Sequence, residues 1–252
     1  MMRVLQGQTA ILTGAAQGLG YAIARAYAEA GMRIALMDVQ QERLDAVAAE
    51  VRGLGGEAVA IGVDLSDAAA TQAAVTQAVA VYGTPRVLVH NAALLREVSM
   101  LDVTFENWQK ELNIILQAAF LLSKAVWARM IEAGGGSIVY LSSGSGIKGF
   151  VKEVAYCPGK HGQEGLMKVL AMEGEPYNIA VNTITPGAPI NTPMSASNYS
   201  DELKQKWVDP ALLTPAFVYL AQQDARTVTG QRLNAWTMSE AIRSATTIPL
   251  TS

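Results

Sequence analysis

"TAILTGAAQGLG", residues 9–20, decides the fold. Its first half, "TAILTG" (9–14), is a short aliphatic and β-branched run that reads as a strand. "GYAIARAYAEAG" (20–31) then takes up helical spacing and is closed by Gly31. Gly14, Gly18 and Gly20 stand in the turn between them. Such a turn lets backbone approach a pyrophosphate, and the free N–H groups of the helix start point at it. In this strand–turn–helix context the glycines are a dinucleotide-binding candidate, with a plain tight turn as the alternative.

The same alternation runs outward from that stretch. "RIALMD" (33–38) is the next strand, followed by an Ala- and Glu-rich helix near 40–52. "EAVAIGVD" (57–64) and "RVLVHN" (86–91) are further strands, with a helix near 67–82 between them. A long helix near 104–132 precedes "SIVYLSS" (137–143); a helix near 155–173 precedes "IAVNTITPG" (179–187), and "RLNAW" (232–236) is a candidate last strand. Regular βαβ alternation predicts an α/β fold: one doubly wound, mostly parallel seven-stranded sheet with helices on both faces and right-handed crossovers. The reading is a single domain over 1–252. The stretch 188–210 lacks periodicity and carries Pro189, Pro193 and Pro210, so it is expected to leave the sheet as a loop covering a site.

Composition narrows the function. Half of the 252 residues are hydrophobic and 16% are charged, which argues against disorder. A net charge of −3, without a Lys/Arg cluster, offers no electrostatic footprint for nucleic acid. One cysteine, Cys157, leaves no internal disulfide or Cys-based zinc site, and two histidines make a His-rich metal site unexpected. No metal ligand set is assigned. The first residues show no signal-peptide pattern. The apolar stretch 111–133 is interrupted by Asn113, Gln117, Ser123, Lys124 and Arg129, so it reads as a buried core or interface helix and not a membrane span. A cytoplasmic location is the expectation.

Two further features carry chemistry. Asp38 closes the second strand, 18 positions after Gly20. A carboxylate there can accept both hydroxyls of an adenosine ribose and would repel a 2′-phosphate. Gln17 and Val39, not Arg or Lys, flank the position, which favours NAD over NADP. "AYCPGK" (155–160) sets Tyr156 and Lys160 four apart, on one face if the segment is helical. Pro158 and Gly159 are poor interior helix residues, but Pro is tolerated in a first turn, so the helix is expected to begin near 153–155. A tyrosine is a poor acid–base group near neutral pH, with a pKa of about 10. A nearby ammonium stabilises its phenolate, and Lys160 is placed to supply one.

Together these motifs resemble the short-chain dehydrogenase/reductase family over nearly all of the chain. "TGAAQGLG" (13–20) is similar to its TGxxxGxG, "HNAA" (90–93) to its NNAG, and "SIVYLSS" with Tyr156 and Lys160 to its Ser … Tyr-x-x-x-Lys set. "PGAPINTPM" (186–194) looks like its PG-motif. The resemblance implies a Rossmann fold and an NAD-dependent oxidoreductase that interconverts a secondary alcohol and its ketone by hydride transfer. It implies Asn113, Ser143, Tyr156 and Lys160 as the catalytic set, with Asn113 anchoring a water behind Lys160. It implies cofactor contacts from Gly14, Gln17, Gly18, Leu19, Gly20, Asp38, Asp64, Leu65, Asn91, Ala92, Tyr156, Lys160, Pro186, Gly187, Ile190 and Thr192. Substrate contacts are implied at Ser143, Ser145 and Tyr156. Ser142 is disfavoured because successive strand residues face opposite ways. A homodimer or homotetramer is also implied.

Three positions depart from the family pattern. His90 and Ala93 alter the NNAG, Pro189 is inserted into the PG-motif, and no Gly-Gly follows the "TGQRLNAW" strand, where Trp236 and Met238 stand near an expected pocket or subunit contact. The substrate stays open. Arg96, Lys148 and Lys152 hint at an acid or polyol; Leu94, Phe150, Met194, Tyr199 and Trp207 hint at an aromatic or acyl group. A sugar or polyol is slightly favoured, with a carbonyl reductase for an acidic or aromatic ketone, or a non-catalytic NAD-sensing relative, as alternatives. A dehalogenase-like relative would lack the glycine loop. Cys157 is expected to be a small buried filler, and His161 an ordinary core or surface residue.

Overall fold

The computed structural model describes residues 4–250. Seven strands form one parallel sheet in the order β3-β2-β1-β4-β5-β6-β7. They are β1 (Thr9–Thr13), β2 (Arg33–Asp38), β3 (Glu57–Gly62), β4 (Val87–His90), β5 (Gly136–Leu141), β6 (Ile179–Thr185) and β7 (Arg232–Asn234). The sequence order reverses beside β1, between β1 and β4, which opens a crevice at the carboxyl ends of those strands.

Period-two alternation builds two cores from the same strands. On β1 and β2, Ala10, Leu12, Ile34 and Leu36 face one side; Ile11, Ala35 and Met37 face the other. The first side is covered by α1 (Gly18–Glu29), α2 (Gln41–Gly53), α9 (Thr214–Ala221) and α10 (Ala235–Arg243). The second is covered by α3 (Ala68–Tyr82), α5 (Ala118–Glu132) and α6 (Tyr156–Gly174). Both sheet faces are buried, as a parallel sheet requires.

The long helix expected near 104–132 is one helical run in three parts. α4 (Phe105–Leu112) passes into a single π-turn, Asn113–Gln117, and then into α5. The run is long and apolar enough to cross a membrane by length and composition. Here its Ala118, Ala119, Leu122, Val126 and Met130 are buried in the second core.

The excursion after β6 is more ordered than a loop. It contains α7 (Pro193–Asn198), α8 (Asp201–Lys204) and a 3₁₀ turn at Pro210–Leu213. α9 and α10 are elements the sequence did not announce. β7 ends at Asn234, two residues short of the expected strand, because the Asn234 side chain accepts from Thr237 N–H (3.1 Å) and starts a helix at once.

Candidate active site

The glycine turn lies where β1 meets α1. Gly14 and Gly18 hold positive φ (66° and 57°), a conformation that favours glycine. A Cβ at Gly14 would sit 2.7 Å from Asn91 Nδ2, and one at Gly20 would collide with the Gly14 carbonyl. One at Gly18 would lie 3.0 Å from Thr192 Cγ2. The turn is thus a cradle with no room for side chains. Asn91 braces it, donating from Nδ2 to the carbonyls of Thr13 (3.1 Å) and Gly14 (3.0 Å). Leu19 is buried under the turn.

Asp38 reaches that turn from β2. One carboxylate oxygen accepts from Ala16 N–H (3.1 Å), the other from Gln40 N–H (3.0 Å). Further along the crevice, Asp64 accepts from the amide and hydroxyl of Ser66 and pairs with Lys110 at 3.2 Å. The Ser66 hydroxyl, with Lys110, holds its carboxyl below the usual range. Leu65 is buried beside it. The structure adds a cation that local sequence hid: Arg43, early in α2, donates to Gln17 Oε1 at 2.6 Å. It is only five residues beyond Asp38, yet the helical turn is what swings it back to the glycine loop.

His90 replaces an asparagine without loosening the site. It is fully buried at the end of β4. Nδ1 lies 2.9 Å from Thr13 Oγ1, and Nε2 lies 3.1 and 3.2 Å from the carbonyls of Ile114 and Ile115. Two carbonyls at Nε2 require its proton there, so Nδ1 accepts from Thr13. The Thr13 oxygen meanwhile accepts from the amides of Asn91 and Ala92, both at 3.1 Å. Burial, helped by the Lys160 charge, pushes the His90 pKa down to about 4. An unfolded chain would protonate it from its ordinary value of 6.5. The stability from keeping it neutral, about 3 kcal/mol, is therefore full above pH 6.5 and lost as pH falls toward 4. Urea midpoints at pH 7.5 and about 5 should differ less in His90→Asn than in the wild type; equal losses would remove His90 from the account.

The proton-transfer candidates converge at the β5 end. Ser142 is buried and Ser143 is partly accessible, as strand alternation predicts. Ser143 Oγ accepts from Ser145 N–H (3.2 Å) and lies 3.3 Å from the buried Ser145 hydroxyl. Tyr156 is the first residue of α6, one residue after the expected start. Burial raises its phenol above the usual value, the Glu153 carboxylate and Tyr199 add to this, and the Ser143 hydroxyl opposes it. Lys160 Nζ lies 5.5 Å from the Tyr156 ring centroid. Lys160 is almost completely buried, donates to the Leu141 carbonyl, and is pushed down to about 7 by burial, against the Glu164 carboxylate.

Pro158 falls in the first turn of α6, as expected. Gly159 has a packing reason: a Cβ there would sit 3.1 Å from Ile115, in the π-turn. Cys157 is buried, with its thiol donating to Glu153 Oε2 (3.1 Å), and His161 is exposed. Asn113 opens the π-turn, but its amide is engaged elsewhere, accepting from Gln109 (2.8 Å) and donating to the Ser66 carbonyl (3.2 Å). Neither bond involves Lys160, to which the resemblance implies a link through a water.

The inserted Pro189 is absorbed locally. Its carbonyl accepts from Val208 N–H (3.0 Å), and Ile190 bridges to Val208. Ile190 stays buried, Thr192 caps α7 opposite Gly18, and Pro186 accepts from Trp236 N–H (3.0 Å). Gly187 (φ 77°) lies against Asn234, where a Cβ would clash. Met238, expected near a pocket or subunit contact, is fully buried in the first core, and Trp236 packs beside it with Arg243 over its ring. Of the basic residues expected to face substrate, Arg96 is tied to Asn107, and Lys148 and Lys152 are exposed.

Sequence reasoning missed a buried charged group behind the serines. Glu164 on α6 accepts from Ser142 Oγ and from Thr183 Oγ1 (2.8 Å), and pairs with Arg232 of β7 at 3.2 Å. Arg232 also donates to the Ser143 carbonyl (3.0 Å). Charged residues on two apolar elements were the available signal.

A parallel sheet with a glycine cradle at its switch point, beside a Ser–Tyr–Lys cluster, defines a nucleotide-binding α/β protein with an acid–base centre. The family model for short chain dehydrogenase matches residues 8–203. The chain belongs to that family. It is 36% identical over 238 residues to D-threitol dehydrogenase of Mycolicibacterium smegmatis, covering 91% of each chain. It is 33% identical to 2,5-dichloro-2,5-cyclohexadiene-1,4-diol dehydrogenase LinX of Sphingobium indicum, covering 91% of this chain and 95% of the relative. Among solved structures it matches one described as a NAD(P)-dependent gluconate 5-dehydrogenase from Beutenbergia cavernae, with NADP bound at low occupancy. That match has a TM-score of 0.85 and 31% identity, over 92% of this chain and 97% of the other. The chain is thus a short-chain oxidoreductase, and the relatives named above are dehydrogenases of a tetritol, a cyclic diol and gluconate.

Proposed function

We propose that the chain is an NAD-dependent secondary-alcohol dehydrogenase acting on a small polyol. The carrying observation is the meeting of Ser143, Tyr156 and Lys160 at the carboxyl end of β5, which pairs with β4 beside the switch point that carries the glycine cradle. The residues present fit a dinucleotide: the tight turn at Gly14, Gly18 and Gly20 would bring backbone N–H groups to a pyrophosphate, Asp38 would take the ribose, Asp64 and Leu65 the adenine, and Thr192 the nicotinamide end. Bound there, a nicotinamide nucleotide would accept or return the hydride.

The chain's own part is the proton. Ser143 holds the substrate oxygen, and Tyr156 takes the hydroxyl proton as the alcohol is oxidised and returns it on reduction. Lys160, when charged, favours the phenolate electrostatically. Asn113 contributes by opening the π-turn against which α6 packs.

Glu153 supports a neutral substrate over an acid. Its carboxylate lies close enough to Tyr156 and Cys157 to raise both, so an anionic substrate would meet a like charge, while hydroxyl groups would find an acceptor. The tetritol and cyclic diol in two relatives' names point the same way, whereas the gluconate in the solved neighbour's description points to an acid. A screen of tetritols, pentitols, cyclic diols and hydroxy acids with both nucleotides, followed by absorbance of the reduced nicotinamide, tests this. Turnover confined to hydroxy acids would refute the polyol reading.

NAD preference rests on Asp38, which would stand against a 2′-phosphate. Arg43 beside Gln17 favours a second reading, NADP, since a guanidinium can pair with that phosphate. Asp38→Ala should lower the ratio of kcat/KM for NAD over NADP by about tenfold or more. An unchanged ratio would dismiss Asp38 as the discriminator. Assembly into two or four copies belongs to the same reading. It is supported by Phe120, Val169 and Met172, exposed apolar side chains on α5 and α6.

A further inference from the structure

Gln163 is completely buried, three residues after Lys160 on α6. An amide in such a place is costly unless its polar atoms are paired. Gln163 Oε1 accepts from Lys160 Nζ at 3.1 Å. Its Nε2 donates to the Ile115 carbonyl at 2.9 Å. The partners fix the amide's orientation, because an ammonium only donates and a carbonyl only accepts.

That carbonyl lies inside the π-turn Asn113–Gln117, at the point where α5's hydrogen-bond ladder changes step. It also receives His90 Nε2 at 3.2 Å. Small residues on α6 permit the approach: a Cβ at Gly162 would stand 2.6 Å from Leu116. One Lys160 proton is held by the Leu141 carbonyl and a second by Gln163.

We propose that Gln163 is a positioning residue of the reaction: a buried amide strut that aims the Lys160 ammonium by tying it to the π-turn carbonyl. The inference rests on the dehydrogenase reading above. It goes further in assigning to a side-chain amide, and not to the Asn113 side chain, the task of anchoring the lysine from behind. The charged and titratable groups around Lys160 are Tyr156 and Glu164 from α6 and His90 from β4, with Arg232 of β7 beyond Glu164. Glu164 favours the charged lysine and His90 is neutral, so the Gln163 oxygen is a dipolar acceptor added to that field.

Two variants read this role in opposite directions. Gln163→Leu removes the acceptor, and Gln163→Glu replaces it with a carboxylate. Lys160 is followed by NMR titration of lysine labelled at the ε-carbon, with Lys160→Met identifying its signal. The midpoint should fall by about one pH unit in Gln163→Leu and rise by at least about one in Gln163→Glu. The alkaline limb of kcat/KM should move with it, because the useful ammonium is lost as pH rises. A Lys160 midpoint unmoved in folded Gln163→Glu overturns the proposal, and this variant decides alone if Gln163→Leu does not fold. Midpoints that move while the alkaline limb stays fixed also overturn it, since the contact then has no bearing on turnover. A wild type that binds neither NADH nor NADPH and oxidises no alcohol refutes the dehydrogenase reading itself, whatever the titration shows.

Discussion

Tyr156→Phe is expected to lower kcat for alcohol oxidation by about 10²–10⁴-fold, the range for loss of a positioned acid–base group. The dissociation constant for the nicotinamide nucleotide should change by less than about threefold, because the ring and the Lys160 contacts to Leu141 and Gln163 are retained. The phenol is buried at the start of α6, and its removal leaves no bulky void. Stopped-flow measurement of hydride transfer, with fluorescence titration of NADH, separates the two quantities. Retained turnover would transfer the proton to another group. A parallel collapse of nucleotide binding would instead make Tyr156 a structural residue.

The second large effect concerns stability. Arg232→Met should destabilise the fold by about 3–5 kcal/mol, the cost of leaving one member of a buried ion pair without its partner. Glu164 is 8% exposed at its side chain and Arg232 is 18%, so neither charge is readily rehydrated where it stands. Adding Glu164→Gln should recover at least half of that loss. The glutamine is nearly isosteric, carries no charge, and can still exchange hydrogen bonds with Ser142 and Thr183. Denaturant midpoints of the two single variants and the double variant form the test. Additive losses would show that the pair is not coupled. Turnover should stay impaired in the double variant, because the donor to the Ser143 carbonyl is still missing.

The strands were legible because each is an apolar run with punctuation. "TAILTG" stops at a glycine, "RIALMD" at an aspartate, and the observed β1 and β2 follow those limits closely. The Tyr156–Lys160 pair was legible from a spacing of four; Ser143 was picked by its match to the family's serine, and alternation then set Ser142 on the other face. What escaped were contacts between distant elements. Nothing local in "NIILQ" (113–117) announces a π-turn; it appears where α6 packs through Gly159 and Gly162. Gln163, Glu164 and Arg232 look like ordinary surface residues until three elements bring them together. α10 was hidden because Asn234 serves both as the last strand residue and as a helix cap. Arg43 escaped because only Gln17 and Val39, the residues flanking the position in the chain, were considered, and the helical turn that brings it to the glycine loop was not.

Among the described residues β7 lies at one edge of the sheet and pairs with β6 alone, yet its Arg232 reaches the Ser143 backbone. Synthesis runs from the N-terminus, so most of the sheet can gather before this strand leaves the ribosome. A nascent chain ending before residue 232 would already hold Tyr156, Lys160 and Glu164, but Glu164 would lack its counter-charge. The three-residue edge strand therefore acts as a completion step: the Glu164–Arg232 pair and the donor to the Ser143 carbonyl form only when nearly the whole polypeptide has been made.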